Sequence, residues 1–246
     1  LHGLGLAWAG RRLGIPVTVC VPEGNNPEKN ASLRALGARL VEEGHDYDAS
    51  TAVADRLVRT EGLHLVHSTN DATVVAGAGT ITLEILEQEP TVEALVFALG
   101  GGSQAVGGLT VARERRPDLP VFAVQAAGAA AIHDAWHLGR PVSHPTAETF
   151  ADGLATRETY PLTFGALRAG LAGFVTVTDA QIAAALRQPL LDGKAVEVNI
   201  GRLRADMRDV IPVSAVRPPR RRRSVRDVTR FISPLVSRSW AFCAAP

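Results

Sequence analysis

A glycine-rich segment near the middle of the chain has the residue types that bind an anion through the backbone. Residues 99–104 have the sequence LGGGSQ, between an apolar run at 95–98 and a segment at 106–116 with helical character. Glycines let backbone N–H groups approach an anion without an intervening Cβ, and a helix N-terminus adds partial positive charge. The segment therefore predicts a phosphate site at a strand–turn–helix junction. A tight turn that binds nothing has the same pattern.

Around this segment, strand-like and helix-like stretches alternate up to about residue 190. Strands are predicted at 17–21, 39–41, 64–67, 95–98, 120–124 and 174–177. Helices are predicted at 4–13, 27–37, 46–59, 72–88, 106–116, 129–138, 167–171 and 180–187, and residues 141–158 are predicted to be irregular. Gly77 and Gly79 predict that another element packs close to the backbone of the 72–88 helix. Such alternation favours an α/β fold in which parallel sheets carry helices on both faces.

The composition is that of an ordinary soluble globular protein, with 46% hydrophobic and 21% charged residues. No apolar stretch approaches the roughly 20 residues that a membrane span needs, and no secretory signal opens the chain. Cys20 and Cys243 are too few for a disulfide framework. We therefore expect a cytoplasmic protein that does not associate with membranes.

Charge is distributed unevenly along the chain. Residues 201–246 contain eleven Arg, three Asp and neither Glu nor Lys, whereas the preceding 200 residues carry an excess of acidic groups. Clustered arginines can neutralise nucleic-acid phosphates, and a basic binding arm is one interpretation of this tail. The tail also lacks hydrophobic periodicity, so we expect it to be disordered or a non-native extension, and we expect no nucleic-acid partner.

Several segments, in this order and spacing, resemble the fold-type II family of pyridoxal-phosphate enzymes, and within it the threonine/serine dehydratases (ammonia-lyases). The resemblance covers roughly residues 2–187. The segments that carry it are VPEG at 21–24 with Lys29, LGA at 36–38, HSTND at 67–71, AGAGT at 76–80, LEI at 83–85, GGGS at 100–103, AVQA at 123–126, Trp136, Gly139 and FADGLA at 150–155.

The resemblance implies a two-domain α/β fold similar to the tryptophan synthase beta subunit, with parallel sheets that carry helices on both faces. We expect residues 1–70 to form a small α/β domain that is truncated at its N-terminus. Residues 71–200 would form part of a large cofactor-binding domain, and residues 201–246 would be the Arg-rich tail. The fold is expected to be incomplete at both ends, because family segments are missing before Leu1 and toward the C-terminus.

The resemblance also implies a cofactor, pyridoxal 5'-phosphate, and the residues that bind it. Its phosphate would be held by the backbone N–H groups of Gly100, Gly101, Gly102, Ser103 and Gln104. His2 looks like the end of a family loop that faces the cofactor ring, although a frayed terminal residue is the alternative. Gly153 matches the backbone beside the ring. The implied reaction converts threonine or serine into a 2-oxo acid and ammonia, in a protein that is a homo-oligomer in its full-length relatives.

The sequence departs from the family pattern at the positions that would do the chemistry. Its only lysines, Lys29 and Lys194, do not follow the motif of the lysine that forms a Schiff base with the cofactor, so no catalytic residue is predicted. Gln125 and Ala131 stand where the family has carboxylates for a divalent cation, and we predict no metal. The scattered His133, His137 and His144 are expected to be solvated rather than metal ligands.

Two other classes of function stay open. Gly100, Gly102 and Ala105 have the spacing of a dinucleotide-binding fingerprint, which needs an acidic residue at the end of the next strand, where Gln125 stands. The missing lysine instead favours a non-catalytic protein, either a folded relic or a binding module with a basic arm.

Overall fold

The computed structural model of the chain describes residues 2–191, and the side chains up to Ala185. The described residues form two compact units that divide between Ser68 and Thr69, hereafter the first and the second unit. The Arg-rich tail at 201–246, Lys194 and Cys243 lie outside the described residues.

The first unit is a small two-stranded parallel sheet with helices. Its elements are α1 (His2–Leu13), β1 (Thr18–Val21), α2 (Pro27–Ala35), β2 (Arg39–Glu42) and α3 (Tyr47–Glu61). Its core contains Ala7, Val21 and Leu33. Asn26 caps α2, because its side chain accepts from the N–H groups of Glu28 and Lys29, as the Asn-Pro signal predicts.

The strand expected at 64–67 does not form, so this prediction is wrong. Residues 64–67 have no regular secondary structure, and the sheet of the first unit contains β1 and β2. A segment whose composition favours a strand forms one only where a neighbouring strand supplies hydrogen bonds and packing. Here the Val66 carbonyl oxygen instead lies 2.9 Å from His2 Nε2.

The second unit contains a three-stranded parallel sheet of order β3-β4-β5. Its elements are α4 (Ala72–Gln88), β3 (Leu95–Ala98), α5 (Ser103–Arg115), β4 (Val121–Ala126), α6 (Ala131–Leu138), α7 (Pro161–Gly170), β5 (Gly173–Val177) and α8 (Asp179–Leu191), with 3₁₀ turns at Ala127–Ala129 and Asp152–Leu154. None of the helices in the described part of the chain is long and apolar enough to span a membrane.

Two helices of the second unit begin at least three residues earlier than the sequence predicts. α5 begins at Ser103 rather than 106, because Gly102 takes a left-handed conformation (φ +96°) that starts the helix directly after the glycines. α7 begins at Pro161 rather than 167, with proline in the first position, where it needs no N–H partner.

α4 and α5 pack with their backbones almost in contact. A Cβ added to Gly107 of α5 would lie 2.5 Å from both Gly79 N and Val75 O of α4. The close approach expected near Gly77 and Gly79 is therefore present at Gly79, whereas Gly77 faces open space. This packing fixes α5, and with it the loop that precedes α5, against the body of the second unit.

Candidate phosphate-binding site

The glycine-rich loop connects the end of β3 to the start of α5. The Leu99 N–H donates to the Val124 carbonyl oxygen at 2.8 Å, which anchors the beginning of the loop to the central strand. At the other end, the Val106 N–H donates to the Gly102 carbonyl oxygen at 2.9 Å and closes the first turn of α5. The backbone between these two hydrogen bonds is held at both ends.

The N–H groups of this loop are available to a ligand. Among residues 2–191, no acceptor receives a hydrogen bond from the backbone N–H of the five residues 100–104. The first turn of α5 contains no acidic residue, and the helix dipole places about half a positive charge at this end. A cluster of unpaired donors at a helix N-terminus is suited to a phosphate. The structure thus brings together five of the predicted site residues: Gly100, Gly101, Gly102, Ser103 and Gln104.

Glycine is required in the loop because neighbouring segments lie against its backbone. A Cβ on Gly101 would lie 2.1 Å from Thr69 Oγ1, and one on Gly100 would lie 3.2 Å from Gly153 O. A Cβ on Gly102 would lie 2.9 Å from Leu167 Cδ1, in addition to the positive φ. The short distance from a Cβ on Gly100 to Gly153 O also places Gly153, a predicted site residue, beside the loop.

Side chains add to the donors and to the rigidity of the loop. Ser103 is half-buried in the first turn of α5, so its hydroxyl lies close to the free N–H groups, whereas Gln104 is exposed. Thr163 of α7 is fully buried, and its Oγ1 donates to the Gly101 carbonyl oxygen at 2.9 Å. Sequence reasoning missed Thr69 and Thr163, because nothing in the segments around them indicates contact with the loop.

His2 lies in the first unit, within the first turn of α1. Its Nε2 is 2.9 Å from the Val66 carbonyl oxygen, so the side chain is tied to the backbone of its own unit. The alternative of a frayed terminal residue is wrong for His2. Lys29 lies in the first turn of α2, half-buried rather than fully on the surface.

Gln125, at the position where a dinucleotide or metal site would need a carboxylate, has a structural contact instead. Its side chain is fully buried, and its Oε1 accepts from the His133 N–H at 2.9 Å in the first turn of α6. The amide carries no charge and Ala131 is apolar, so neither a ribose hydroxyl nor a hard cation finds a carboxylate here. Among the described residues, no group of three or more His, Cys, Asp or Glu could hold a metal ion.

The histidines that follow β4 are less solvated than the sequence predicts. His133 Nδ1 lies 3.0 Å from Asp134 Oδ1, and His144 Nε2 lies 3.1 Å from Asp134 Oδ2. Both histidines are half-buried, and the His144–Asp134 contact joins the segment after α6 to the helix, whereas His137 is exposed as expected.

Comparison with known proteins defines the class. The model of the family described as pyridoxal-phosphate dependent enzyme matches residues 2–198, and the chain belongs to that family. The α/β fold with parallel sheets, predicted from the alternation of elements and from the resemblance, is confirmed.

Several of the similar proteins are named as ammonia-lyases or deaminases. An L-threonine ammonia-lyase of Geobacter sulfurreducens is 34% identical over 185 residues, which cover 75% of this chain and 46% of the relative. The crystal structure of a T.th. threonine deaminase matches with a TM-score of 0.75 and 30% identity, over 84% of this chain and 68% of that chain. A threonine deaminase of Solanum lycopersicum matches with a TM-score of 0.78 and 25% identity, over 96% of this chain and 71% of that chain. The chain spans about half the length of the curated relatives it matches.

The residues of the loop fit the phosphate of the family's cofactor. The fit rests on the unpaired N–H groups of residues 100–104, on the absence of an acidic residue in the first turn of α5, and on the nearby Ser103 hydroxyl. A phosphate dianion accepts hydrogen bonds and donates almost none, so a set of donors without a carboxylate is the complementary surface.

Proposed function

We propose that the chain forms the cofactor site of a pyridoxal-phosphate-dependent dehydratase that deaminates threonine or serine. The observation that carries the proposal is the set of free backbone N–H groups from Gly100 to Gln104 at the start of α5. Two relatives are named as L-threonine ammonia-lyases, which supports an amino acid with a β-hydroxyl group as the substrate.

In such a reaction the bound cofactor supplies an electron sink that lets the substrate Cα lose its proton. The residues of this chain contribute binding and orientation. The loop holds the phosphate through the backbone, the Ser103 hydroxyl donates an additional hydrogen bond, and the backbone at Gly153 lies beside the loop. We propose His2 as a further cofactor-binding residue, as the resemblance implies.

The lysines decide how the cofactor is attached. Lys29 is in the first turn of α2, Lys194 lies outside the described residues, and neither follows the family's motif. We therefore expect reversible binding of pyridoxal phosphate to this chain. The test is titration of the purified chain with pyridoxal phosphate, followed by borohydride reduction and peptide mass mapping. Cofactor fixed to either lysine would contradict this expectation, and absence of binding would contradict the proposed cofactor site.

Turnover separates the dehydratase from the second candidate, a non-catalytic binding module, which the missing lysine motif favours. The loaded chain is incubated with threonine and with serine, and the released 2-oxo acid and ammonia are quantified. A dehydratase releases the two products in equal amounts. Their release supports the dehydratase. Retention of the cofactor without turnover supports the binding module. Binding of NAD in place of pyridoxal phosphate would overturn both and support the dinucleotide interpretation.

We also propose a small domain over residues 1–70 and a larger cofactor-binding domain over residues 71–200. Limited proteolysis tests the boundary, because cleavage should concentrate near Asn70 if the domains fold separately. Cuts spread evenly along the chain would contradict it.

A homo-oligomer in the cytoplasm is the proposed state of the protein. Large apolar side chains on the surface of the first unit, such as Trp8 and Leu13, support a self-interface. Burial raises the pKa of the Cys20 thiol. Light scattering coupled to size-exclusion chromatography tests the oligomer, and a monomer at micromolar concentration would contradict it.

A further inference from the structure

Thr163, in the first turn of α7, contacts the carbonyl side of the glycine-rich loop. Its side chain is fully buried, and its Oγ1 donates to the Gly101 carbonyl oxygen at 2.9 Å. The Tyr160 carbonyl oxygen is 3.4 Å from the same hydroxyl. A hydroxyl group has one proton, and the shorter contact with Gly101 has the better hydrogen-bond distance. The Thr163 hydroxyl is therefore assigned to the Gly101 carbonyl.

This hydrogen bond determines where the next N–H group points. A trans peptide unit is planar, and its C=O and N–H bonds point in opposite directions. Because the Gly101 carbonyl is held toward α7, the N–H of Gly102 points away from α7. That N–H donates to no acceptor within residues 2–191.

The peptide between Gly101 and Gly102 is flanked by glycine on both sides. Glycine permits most backbone conformations, so a peptide unit flanked by two glycines rotates more easily than one between other residues. Gly102 has φ +96°, a conformation that depends on the orientation of this peptide. A hydrogen bond from a fully buried threonine restricts the rotation.

We propose that Thr163 is a positioning residue that fixes the Gly101–Gly102 peptide so that the Gly102 N–H faces the bound phosphate. The identity of the phosphate as that of pyridoxal phosphate rests on the proposed function. The orientation of the Gly101–Gly102 peptide does not depend on the proposed function. Without the Thr163 hydroxyl, the loop loses its preorganisation and the phosphate loses one aligned donor.

Three variants test the proposal. Thr163→Val removes the hydroxyl at nearly constant volume, and Thr163→Ser restores it. Thr82→Val is the matched control, because Thr82 in α4 is also fully buried and its Oγ1 has no partner in the described part of the chain. Affinities for pyridoxal phosphate and for inorganic phosphate are measured by calorimetry, together with thermal melts of each variant.

Thr163→Val should weaken the binding of both ligands about tenfold, the effect of losing one hydrogen bond to a charged group. Thr163→Ser should bind within about twofold of the unaltered chain, and Thr82→Val should bind unchanged. Unchanged affinity in Thr163→Val, or equal weakening in Thr82→Val, would overturn the proposal.

A measurement without ligand tests the orientation of the Gly101–Gly102 peptide directly. The carbonyl ¹³C shift of Gly101 and the amide shifts of Gly102 should change in Thr163→Ser far less than in Thr163→Val, and unchanged shifts in both would overturn the proposal. Turnover combined with unaltered phosphate affinity in Thr163→Val would uphold the proposed function and overturn this inference. Phosphate binding that depends on Thr163, in a chain that binds no pyridoxal phosphate, would uphold the inference and overturn the proposed function.

Discussion

Two strand–turn–helix segments lie side by side in the second unit, and the N-termini of their helices differ. In β3–α5, the N-cap Gly102 has no side chain, and the first N–H groups of α5 are left free. In β4–α6, the Gln125 side chain reaches forward from the strand and accepts from the His133 N–H at 2.9 Å. The same topology leaves the helix N-terminus without a side-chain acceptor in β3–α5, hereafter the open end, and with one in β4–α6, hereafter the closed end.

The open end is an exception in the described part of the chain. Among the helices α2 to α8, α5 alone begins without a side-chain oxygen that accepts from its first turn. The acceptors of the other helices are Asn26, Asp46, Asp71, Gln125, Asn70 and Thr178. Unpaired N–H groups at a helix N-terminus are costly unless something accepts their hydrogen bonds. The difference supports the proposal that the start of α5 binds a ligand.

The largest loss of phosphate affinity is expected from a side chain placed between the glycine-rich loop and Thr69. Gly101→Ala places a Cβ 2.1 Å from Thr69 Oγ1 and 3.0 Å from Thr69 Cβ, so the loop must move. We predict that phosphate affinity falls at least about a hundredfold, since several aligned donors are displaced together. Calorimetric titration with pyridoxal phosphate measures the change.

Gly165→Ala is the control for this variant. Gly165 is in α7, and a Cβ there meets no atom within 4 Å. It should leave phosphate affinity unchanged and stabilise the helix by about 0.5–1 kcal/mol. Equal affinities of Gly101→Ala and Gly165→Ala would show that the loop is not the binding site.

A charge at the closed end should reduce stability. Gln125→Glu places a carboxyl group at a fully buried position. Burial raises the pKa of such a carboxyl, so the folded state binds the proton more tightly than the unfolded state. Stability is then highest below the unfolded pKa of about 4.3 and falls as pH rises. We predict a loss of about 2–4 kcal/mol at pH 7, measured by urea unfolding at several pH values.

Gln125→Leu separates charge from the loss of the cap. This variant removes the acceptor for His133 together with the Gln125 Nε2 group, which is buried without a partner among the described residues. The expected loss is about 1 kcal/mol at every pH, the value of one helix cap. A pH-independent loss of equal size in both variants would contradict the role assigned to the buried charge.

A smaller loss of phosphate affinity is expected when the Ser103 hydroxyl is removed. Ser103→Ala removes the one hydroxyl in the first turn of α5 and leaves the backbone N–H groups in place. Pyridoxal phosphate should bind about tenfold more weakly. Ser103→Thr keeps the hydroxyl and serves as the matched variant. If Ser103→Ala binds as tightly as the unaltered chain, the backbone alone binds the phosphate.

The smallest effect concerns an ion pair of the first unit, which is a control for changes of pH. Arg39 hydrogen bonds lower the pKa of Glu61, with N–O distances of 2.5 and 3.0 Å. A lowered folded-state pKa gives stability above the unfolded pKa, which is lost as pH falls through the folded pKa. Glu61→Gln should therefore lower the melting temperature slightly at pH 7, and by progressively less as pH falls below about 4. Its phosphate affinity should be unchanged, and a weaker affinity would contradict this assignment.

The sequence predicts well the elements whose cause is local. Apolar runs at 95–98 and 174–177 gave β3 and β5 within one residue, and the Asn26–Pro27 cap signal gave the start of α2. The glycines at 100–102 predicted the loop, because the requirement for glycine is a property of the backbone itself. The family resemblance followed from the spacing of such segments and is confirmed by the family match.

What the sequence does not predict depends on distant contacts. Residues 64–67 have the composition of a strand, but whether they pair depends on other parts of the sheet. Thr69 and Thr163 are 32 and 62 positions from Gly101, and no local pattern indicates that their side chains meet it. The cap that Gln125 provides for α6 likewise needs the turn at Ala127–Ala129 to bring the helix back to the strand.

The most direct test of the open loop is an amide NMR titration of the ¹⁵N-labelled chain with pyridoxal phosphate. The resonances of residues 100–104 should shift together and saturate with one affinity, and inorganic phosphate should reproduce the shifts at higher concentration. The His133 amide, which already donates to Gln125 Oε1, should not follow that curve. Saturable binding that leaves residues 100–104 unshifted would contradict the assignment of this loop as the phosphate site.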